Sequence, residues 1–162
     1  MIFRAPVPPL TIPEVALTPF LLERAADRGE KPAFIDGPSG RILTYRGLGE
    51  AVRRSAAGLA ARGFRKSDVF AIYSPNLPEY AVAFHAVSLL GGVNTTVSPL
   101  YTVAELRTQL EDAGARYLVT VPPCVGKAAE AARGTGVREL FVFGEAEGAV
   151  PFASLAAGDG AP

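Results

Sequence analysis

Short runs of β-branched and aromatic residues recur at a nearly constant interval along the second half of the chain. They occupy residues 69–73, 93–97, 117–121 and 139–143. A segment with apolar residues at helical spacing fits between each pair of runs. Strands that alternate with helices in this way predict an α/β fold, with four βα-type strands in a parallel sheet, flanking helices and right-handed crossovers.

Polar residues and glycines mark where the helices of this part begin and end. Thr102 and Glu105 have the spacing of a capping box, and Asn76 with Glu79 resembles a second one, with Asn in place of Ser or Thr. Gly114 follows the helix that Thr102 begins, at the place where glycine often ends a helix in the left-handed conformation. The two pairs therefore predict helix starts.

The beginning of the chain carries a different pattern. Residues 1–17 contain several prolines, each of which disfavours helix at the residue before it, so they predict an extended arm. Thr18 followed by Pro19 predicts a helix start, with Thr18 as the N-cap. This helix is expected to run to Arg28 and to stop at Gly29.

A hairpin and a long helix are expected to follow. Turn residues separate the apolar segments 33–36 and 41–44, which predicts a β-hairpin, and helical spacing predicts a helix over 45–62. The end of the chain is turn-rich, with Phe152 and Leu155 as its expected anchors. The chain is thus divided into an arm (1–17), a helix, hairpin and long helix (18–66), a parallel α/β core (67–145) and a turn-rich tail (146–162).

Charge and cysteine content limit the possible partners and the cellular compartment of the protein. The chain has 16 basic and 16 acidic residues, and this balance argues against nucleic acid or an anionic membrane as a partner. A single cysteine permits no internal disulfide, which favours a reducing compartment. No signal peptide is recognisable, and no window offers the roughly 18 apolar residues of a membrane span. We therefore expect a soluble cytoplasmic protein.

The candidate catalytic groups lack partners in the sequence. Gly91 and Gly92 come after a helix and before a strand, at the amino ends of the strands, so we interpret them as a helix stop rather than a phosphate loop. Lys127 follows a glycine but lacks the rest of a phosphate-loop motif. His85 is interpreted as a packing or surface histidine, and Cys124 as a buried or idle cysteine.

Two short basic pairs fall on predicted polar faces. They are Arg53 with Arg54 and Arg65 with Lys66, and we interpret them as solvated charge. One cysteine and one histidine are too few for a zinc site. No position is therefore assigned a catalytic, cofactor-binding or metal-binding role.

The order of the segments resembles the amino-terminal part of adenylate-forming (AMP-binding) enzymes, and within them 4-coumarate–CoA ligases and related acyl-CoA synthetases. The resemblance covers roughly Thr18 to Phe143. The matching pieces are Thr44-Tyr45 with Leu48, Gly63 leading to Asp68-Val69, Pro75-Asn76 with Glu79, Gly91-Gly92, Pro99-Leu100-Tyr101-Thr102 with Glu105-Leu106, and Ala113-Gly114-Ala115.

Three positions depart from the family pattern. Gly47 stands where the family usually has an acidic residue that would complete a capping box with Thr44. Ser67 stands where the family usually has glycine, and Ser98 where it often has asparagine. These changes affect turns and helix caps more than chemistry.

The resemblance implies an activity for a parent protein. Such enzymes activate a small carboxylic acid with ATP and Mg²⁺ to an acyl-adenylate, and then pass the acyl group to coenzyme A. The family's phosphate loop, ribose motif and catalytic lysine do not occur in the 162 residues. We therefore expect an incomplete part of a larger amino-terminal domain, which alone is inactive and binds none of these cofactors tightly.

The resemblance also implies exposed surfaces. In the family the hairpin belongs with a second sheet whose other strands come from later sequence. Apolar faces and strand edges left uncovered tend to associate, so we expect a homo-oligomer. Two alternatives remain open. One is a self-contained flavodoxin-like binding module that uses the strand ends near Ser74, Ser98 and Pro122, and the other is a purely structural interaction domain.

Overall fold

The protein is described by a computed structural model over residues 11–157. Five α-helices, two 3₁₀ helices and seven strands occur in this range. The helices are α1 (Leu17–Ala26), α2 (Tyr45–Ala61), α3 (Pro78–Leu89), α4 (Val103–Ala113) and α5 (Val125–Ala132), with 3₁₀ helices η1 (Pro122–Cys124) and η2 (Phe152–Ala156). The strands are β1 (Pro32–Ile35), β2 (Ile42–Thr44), β3 (Val69–Tyr73), β4 (Val93–Val97), β5 (Ala115–Thr120), β6 (Glu139–Val142) and β7 (Val150–Pro151).

The main sheet has five parallel strands in the order β4-β3-β5-β6-β7. The predicted α/β fold with a parallel sheet and flanking helices is therefore confirmed. Strand β5 begins two residues earlier than predicted, and the tail supplies a fifth strand that the sequence did not predict. Strands β1 and β2 form a separate antiparallel hairpin, as expected.

The core lies on both faces of this sheet. On one face Phe70 and Ile72 of β3 pack with α2, α3 and the tail, in a cluster that includes Phe141. On the other face Ala71 and Tyr73 pack with α4 and α5. All five of these side chains are fully buried, so the sheet is a central layer between two layers of helices.

Several of the expected helix boundaries are confirmed. Thr102 Oγ1 accepts a hydrogen bond from Glu105 N at 3.3 Å, and the Glu105 carboxylate accepts one from Thr102 N at 2.8 Å, which completes the capping box. Gly114 and Gly63 follow α4 and α2 with φ of 64° and 86°. Thr44 caps α2 by accepting from Gly47 N at 3.1 Å, although Gly47 offers no acidic side chain in return.

Two predicted helix caps are wrong. Helix α1 begins at Leu17 after Ala16, and the buried Thr18 hydroxyl pairs with a distant histidine instead of capping the helix. Helix α3 begins at Pro78 after Leu77, without a side-chain cap. The Glu79 side chain of the predicted second capping box instead forms an ion pair with Arg41 of the hairpin. In both cases the side chain bonds to a residue distant in the sequence instead of capping its own helix.

The tail closes the first core cluster. Phe152 and Leu155 are buried, as expected of anchors, and η2 lies against α2. A Cβ at Gly58 of α2 would overlap the Leu155 carbonyl oxygen and lie 2.7 Å from Leu155 Cα. Only glycine lets the tail approach the helix this closely.

Parts of the predicted arm and tail fall outside the described range. Residues 1–10 of the arm and residues 158–162 of the tail are not described, and residues 11–16 contain neither helix nor strand. Within the described range, no helix is both long and apolar enough to cross a membrane.

The departure at Ser67 has a conformational cost. Ser67 has a φ of 69°, and it is the only non-glycine with positive φ among residues 11–157. Its amide donates to the Gly91 carbonyl at 3.0 Å, which holds it in this turn before β3. A side chain in the left-handed region costs roughly 1–2 kcal/mol, and glycine avoids that cost.

We predict that Ser67→Gly raises the free energy of unfolding by about 1 kcal/mol, because it removes the Cβ clash at the left-handed turn. Urea denaturation at one protein concentration measures this change. Ser67→Ala is the matched control, since it removes the hydroxyl but keeps the Cβ and should give no gain. Equal stability of the glycine and alanine variants would contradict the assignment of strain to this residue.

Candidate functional site

The strand order changes direction between β3 and β5, and in doubly wound sheets the carboxyl ends of two such strands flank a crevice. Helix α3 leaves β3 toward one face, whereas α5 leaves β5 toward the other. In doubly wound sheets ligands bind at such a switch point, outside the carboxyl ends of the strands. The crevice lies between the loop of residues 74–77 and the segment of residues 121–124.

The polar groups beside this crevice hold the loops in place. The Tyr73 hydroxyl lies 3.1 Å from the carbonyl oxygens of both Pro99 and Tyr101, and it is placed to donate to either. The buried Thr120 hydroxyl donates to the Tyr73 carbonyl at 2.8 Å. Lys127 Nζ donates to the Tyr101 carbonyl at 3.3 Å. These groups fix the β3, β4 and β5 ends relative to one another.

The residues named for the binding-module alternative are also engaged locally. The Ser74 hydroxyl donates to the Pro75 carbonyl at 2.8 Å, and the Ser98 hydroxyl accepts from Leu100 N at 3.3 Å. Pro122 begins η1, and Cys124 ends it as a half-buried free thiol. The carboxyl edge thus brings Ser74, Ser98 and Pro122 to one end of the sheet, with both hydroxyls already in local hydrogen bonds.

The structure does not bring a catalytic group to His85. His85 Nδ1 lies 3.0 Å from Thr18 Oγ1, and its ring meets the Phe84 ring edge-on. Both partners belong to the packing of α1 against α3, beside a cavity of about 400 Å³ that Leu48 also lines. Burial lowers the pKa of His85, which favours the neutral imidazole. The interpretation of His85 as a packing residue agrees with these contacts.

The glycine pair is likewise structural. Gly91 has a φ of 70° just after α3, where glycine ends a helix readily. A Cβ at Gly92 would overlap the Phe64 ring and lie 2.9 Å from Val87 Cγ1. The pair lies at the amino edge of the sheet, on the side away from the crevice. Its glycines are needed for a helix stop and for close packing.

A cavity of about 410 Å³ beside the first core cluster was not predicted from the sequence. Arg41, Glu79 and Ser55 are its polar lining residues, and Phe143 and Phe152 are among its apolar ones. One Glu79 oxygen pairs with Arg41, while the buried Oε2 has no hydrogen-bond partner in the described part of the chain. The sequence analysis assigned Glu79 to a helix cap, and its ion pair with Arg41 of the hairpin was not predicted.

Another cavity, of about 440 Å³, separates the hairpin tip from the start of α3. Asp36, Asn76 and Tyr80 are its polar lining residues, and Phe34 and Ile35 lie on its hairpin side. Within residues 11–157, no three His, Cys, Asp or Glu side chains come together as they would to hold a metal ion. The two cavities are therefore surfaces shaped by the hairpin, the start of α3 and the tail.

Comparison with known proteins gives these surfaces a context. Residues 21–151 match the family described as AMP-binding enzyme. The chain is 39% identical over 160 residues to 4-coumarate–CoA ligase 5 of Oryza sativa subsp. japonica, an alignment that covers 98% of this chain and 29% of the rice protein. It is 38% identical over 131 residues to 4-coumarate–CoA ligase 4 of Arabidopsis thaliana, with 78% and 23% covered.

Solved structures share the fold. A long-chain-fatty-acid–CoA ligase from Archaeoglobus fulgidus superimposes with a TM-score of 0.85 at 23% identity, over 96% of this chain and 32% of that one. The architecture is that of the amino-terminal part of adenylate-forming enzymes. The chain spans less than a third of the length of the rice and Arabidopsis relatives.

The burial of His85 predicts a pH dependence of stability. Its folded pKa is below the unfolded value of about 6.5, so the unfolded chain takes up the proton first. Its contribution is fully present above the unfolded pKa and is lost as the pH falls through the folded pKa. We therefore expect the free energy of unfolding to fall between about pH 7.5 and pH 5.

Replacement by a residue that does not titrate checks this prediction. We expect a flatter profile in His85→Asn, measured by urea denaturation across the same pH range. Thr18→Val is the control, because it removes the hydroxyl but leaves the imidazole in place and should keep the slope. Identical slopes in the wild type and His85→Asn would refute the attribution to His85.

Proposed function

Since the chain belongs to the family of AMP-binding enzymes, we propose that it is the amino-terminal part of an ATP-dependent acid–thiol ligase. The parent reaction joins a small carboxylic acid to coenzyme A through an acyl-adenylate, and releases AMP and pyrophosphate. The observation that carries the proposal is the similarity, over almost the whole chain, to proteins named as 4-coumarate–CoA ligases. A 4-coumarate-like or a fatty-acyl or aryl acid is the proposed substrate class.

The carboxyl edge offers few free polar groups by which this chain alone would hold ATP, Mg²⁺ or coenzyme A. The hydroxyls at the carboxyl edge, those of Ser74 and Ser98, are engaged in local hydrogen bonds. No metal-ligating cluster forms within residues 11–157. We therefore assign no reaction step to this chain, and propose that it is inactive alone and binds none of the three tightly. We also propose a cytoplasmic setting, since the single cysteine of these 162 residues permits no internal disulfide among them.

A second candidate function rests on the strand order. The strands lie side by side in the order β4-β3-β5-β6-β7, which is the order found in flavodoxin-like sheets, with the switch point between β3 and β5. A self-contained module of that shape would bind a small molecule in the carboxyl-edge crevice without catalysis. This candidate differs from the first in requiring ligand binding by the 162 residues alone.

The gene sequence past the codon for Pro162 tests the ligase directly. We expect the reading frame to continue into a Ser/Thr/Gly-rich loop that ends in Pro-Lys-Gly. The longer product should release AMP and pyrophosphate when given 4-coumarate or a fatty acid with ATP and coenzyme A, whereas the 162-residue chain should show no turnover. A stop codon directly after Pro162 would overturn the proposal.

Calorimetric titration of the 162-residue chain separates the two candidates. ATP, AMP, a flavin and coenzyme A are each titrated into the same protein. The ligase proposal expects no tight binding at the carboxyl edge, and therefore no saturable amide shifts in residues 74–77 when the same ligands are titrated in NMR spectra. Micromolar binding of the flavin or a nucleotide with saturable shifts in residues 74–77 would favour the module instead.

We further propose that the 162-residue chain self-associates through its hairpin. Ile35 and Ile42 are 64% and 55% exposed, and together they form a surface that we name the hairpin face. Ile35 and Ile42 are cross-strand partners, so their side chains lie side by side. The inner residues Ala33 and Leu43 pack on the core, which fixes the outward direction of this face.

Light scattering at high protein concentration measures the association. We expect a dimer or higher oligomer of the wild type and a monomer of the variant Ile35→Lys with Ile42→Lys, because the added charges would have to be buried. The control is Leu100→Lys with Tyr101→Lys, which places two charges on another exposed apolar pair. A monomeric wild type, or equal dissociation of both variants, would count against the hairpin face.

A further inference from the structure

Four arginine side chains converge at the amino edge of the main sheet. They line a cleft of about 510 Å³, which we name the arginine cleft. Its charged and polar lining residues are Arg62, Arg65, Arg116, Arg138, Tyr117 and Glu139. They come from the end of α2, the turn before β3, and the starts of β5 and β6, which places them on adjacent parts of one edge.

Two of the four guanidinium groups are neutralised by carboxylates. Arg116 Nη1 lies 2.9 Å from Asp68 Oδ1, and Arg62 pairs with Glu139. Asp68 also accepts from the backbone amide of Arg65 at 2.8 Å. Although burial raises it, the pKa of Asp68 is held below its ordinary value by the Arg116 hydrogen bond and the Arg65 amide. Asp68 is therefore ionised at neutral pH, and its negative charge is paired with Arg116.

The positive charges of the other two guanidinium groups are not neutralised by a carboxylate in the described part of the chain. Within residues 11–157, Arg65 and Arg138 have no carboxylate within 4.0 Å of their side-chain nitrogens. Both are exposed. With Asp68 and Glu139 counted against the four arginines, the cleft carries a net charge of two positive units. Because the whole chain is neutral, this excess is a local feature.

We propose that the arginine cleft binds inorganic pyrophosphate, whose two linked phosphate groups carry more than one negative charge at neutral pH. Guanidinium groups offer planar forks of donors that match phosphate oxygens, and several forks from different directions suit a tetrahedral group. Arg65 and Arg138 supply the free charge. The paired Arg62 and Arg116 are held in place by their carboxylates and line the same cleft.

The geometry separates this site from the carboxyl-edge crevice. Strand β3 has five residues, so the two edges of the sheet are about 16 Å apart at that strand. The Tyr117 hydroxyl donates to the Arg62 carbonyl at 3.3 Å, which ties the start of β5 to the end of α2 and shapes the cleft wall. A ligand at the amino edge would therefore contact none of the loops at the other edge.

Pyrophosphate titration of the 162-residue chain tests the proposal. Two-dimensional amide NMR spectra of the wild type should show saturable shifts at Arg65, Arg116 and Arg138, without shifts of comparable size in the loop of residues 74–77. We expect the variant Arg65→Gln with Arg138→Gln to weaken pyrophosphate binding by about tenfold or more, because two charge-assisted contacts are lost.

A charge-matched variant controls for the loss of two positive charges. Arg53→Gln with Arg54→Gln makes the same change on the exposed side of α2, about 12 Å or more along the helix from Arg62. At physiological salt this exceeds the screening length of about 8 Å, so binding should change by less than about twofold. Inorganic phosphate and malonate serve as further probes, and we expect both to bind more weakly than pyrophosphate.

Each other outcome overturns the proposal. Equal weakening in the two double variants would indicate general attraction of anions to the chain. Malonate binding as tightly as pyrophosphate would overturn the phosphate class, and the absence of saturable shifts in the wild type would remove the site. The NMR measurement needs no variant, so it stands even if a substitution impairs folding.

Discussion

The burial of strand β3 on both faces is the constraint on which the rest of the fold depends. Phe70 and Ile72 point to one helical layer, and Ala71 and Tyr73 to the other. A strand of this kind is stable only when both faces are covered, which in a parallel sheet requires crossover helices on each side. Helices α2 and α3 cover one face, and α4 and α5 cover the other. The helices that follow β3 and β5 therefore lie on opposite faces, which creates the switch point between these two strands.

The sequence predicted this frame because its signals are local. Strand-like runs at regular intervals, and a capping box at Thr102, depend on residues a few positions apart. The failures involve partners far along the chain. Thr18 has the sequence of a cap but bonds to His85, and Glu79 pairs with Arg41. Strand β7 has only two residues, which is too short to leave a periodic pattern.

The same contrast between local signals and partners far along the chain applies to the candidate sites. The interpretation of the glycine pair as a helix stop agrees with the structure, and Arg65 is exposed as expected, but its place in the arginine cleft was not predicted. Arg65, Arg116 and Arg138 are distant in sequence and meet because β3, β5 and β6 are neighbours in the sheet. A signal was present, since each arginine lies near the start of its strand. This signal becomes informative only once the order of the strands in the sheet is known, and the spacing of strands along the chain does not specify that order.

The close contact of Gly58 with Leu155 has a consequence for synthesis. Helix α2 is made early, but the segment that covers part of its apolar surface follows on the order of 100 residues later. At ordinary translation rates that interval lasts roughly 5–20 s. The nascent chain therefore carries an uncovered helix face for several seconds, during which a chaperone or a neighbouring nascent chain has access to it.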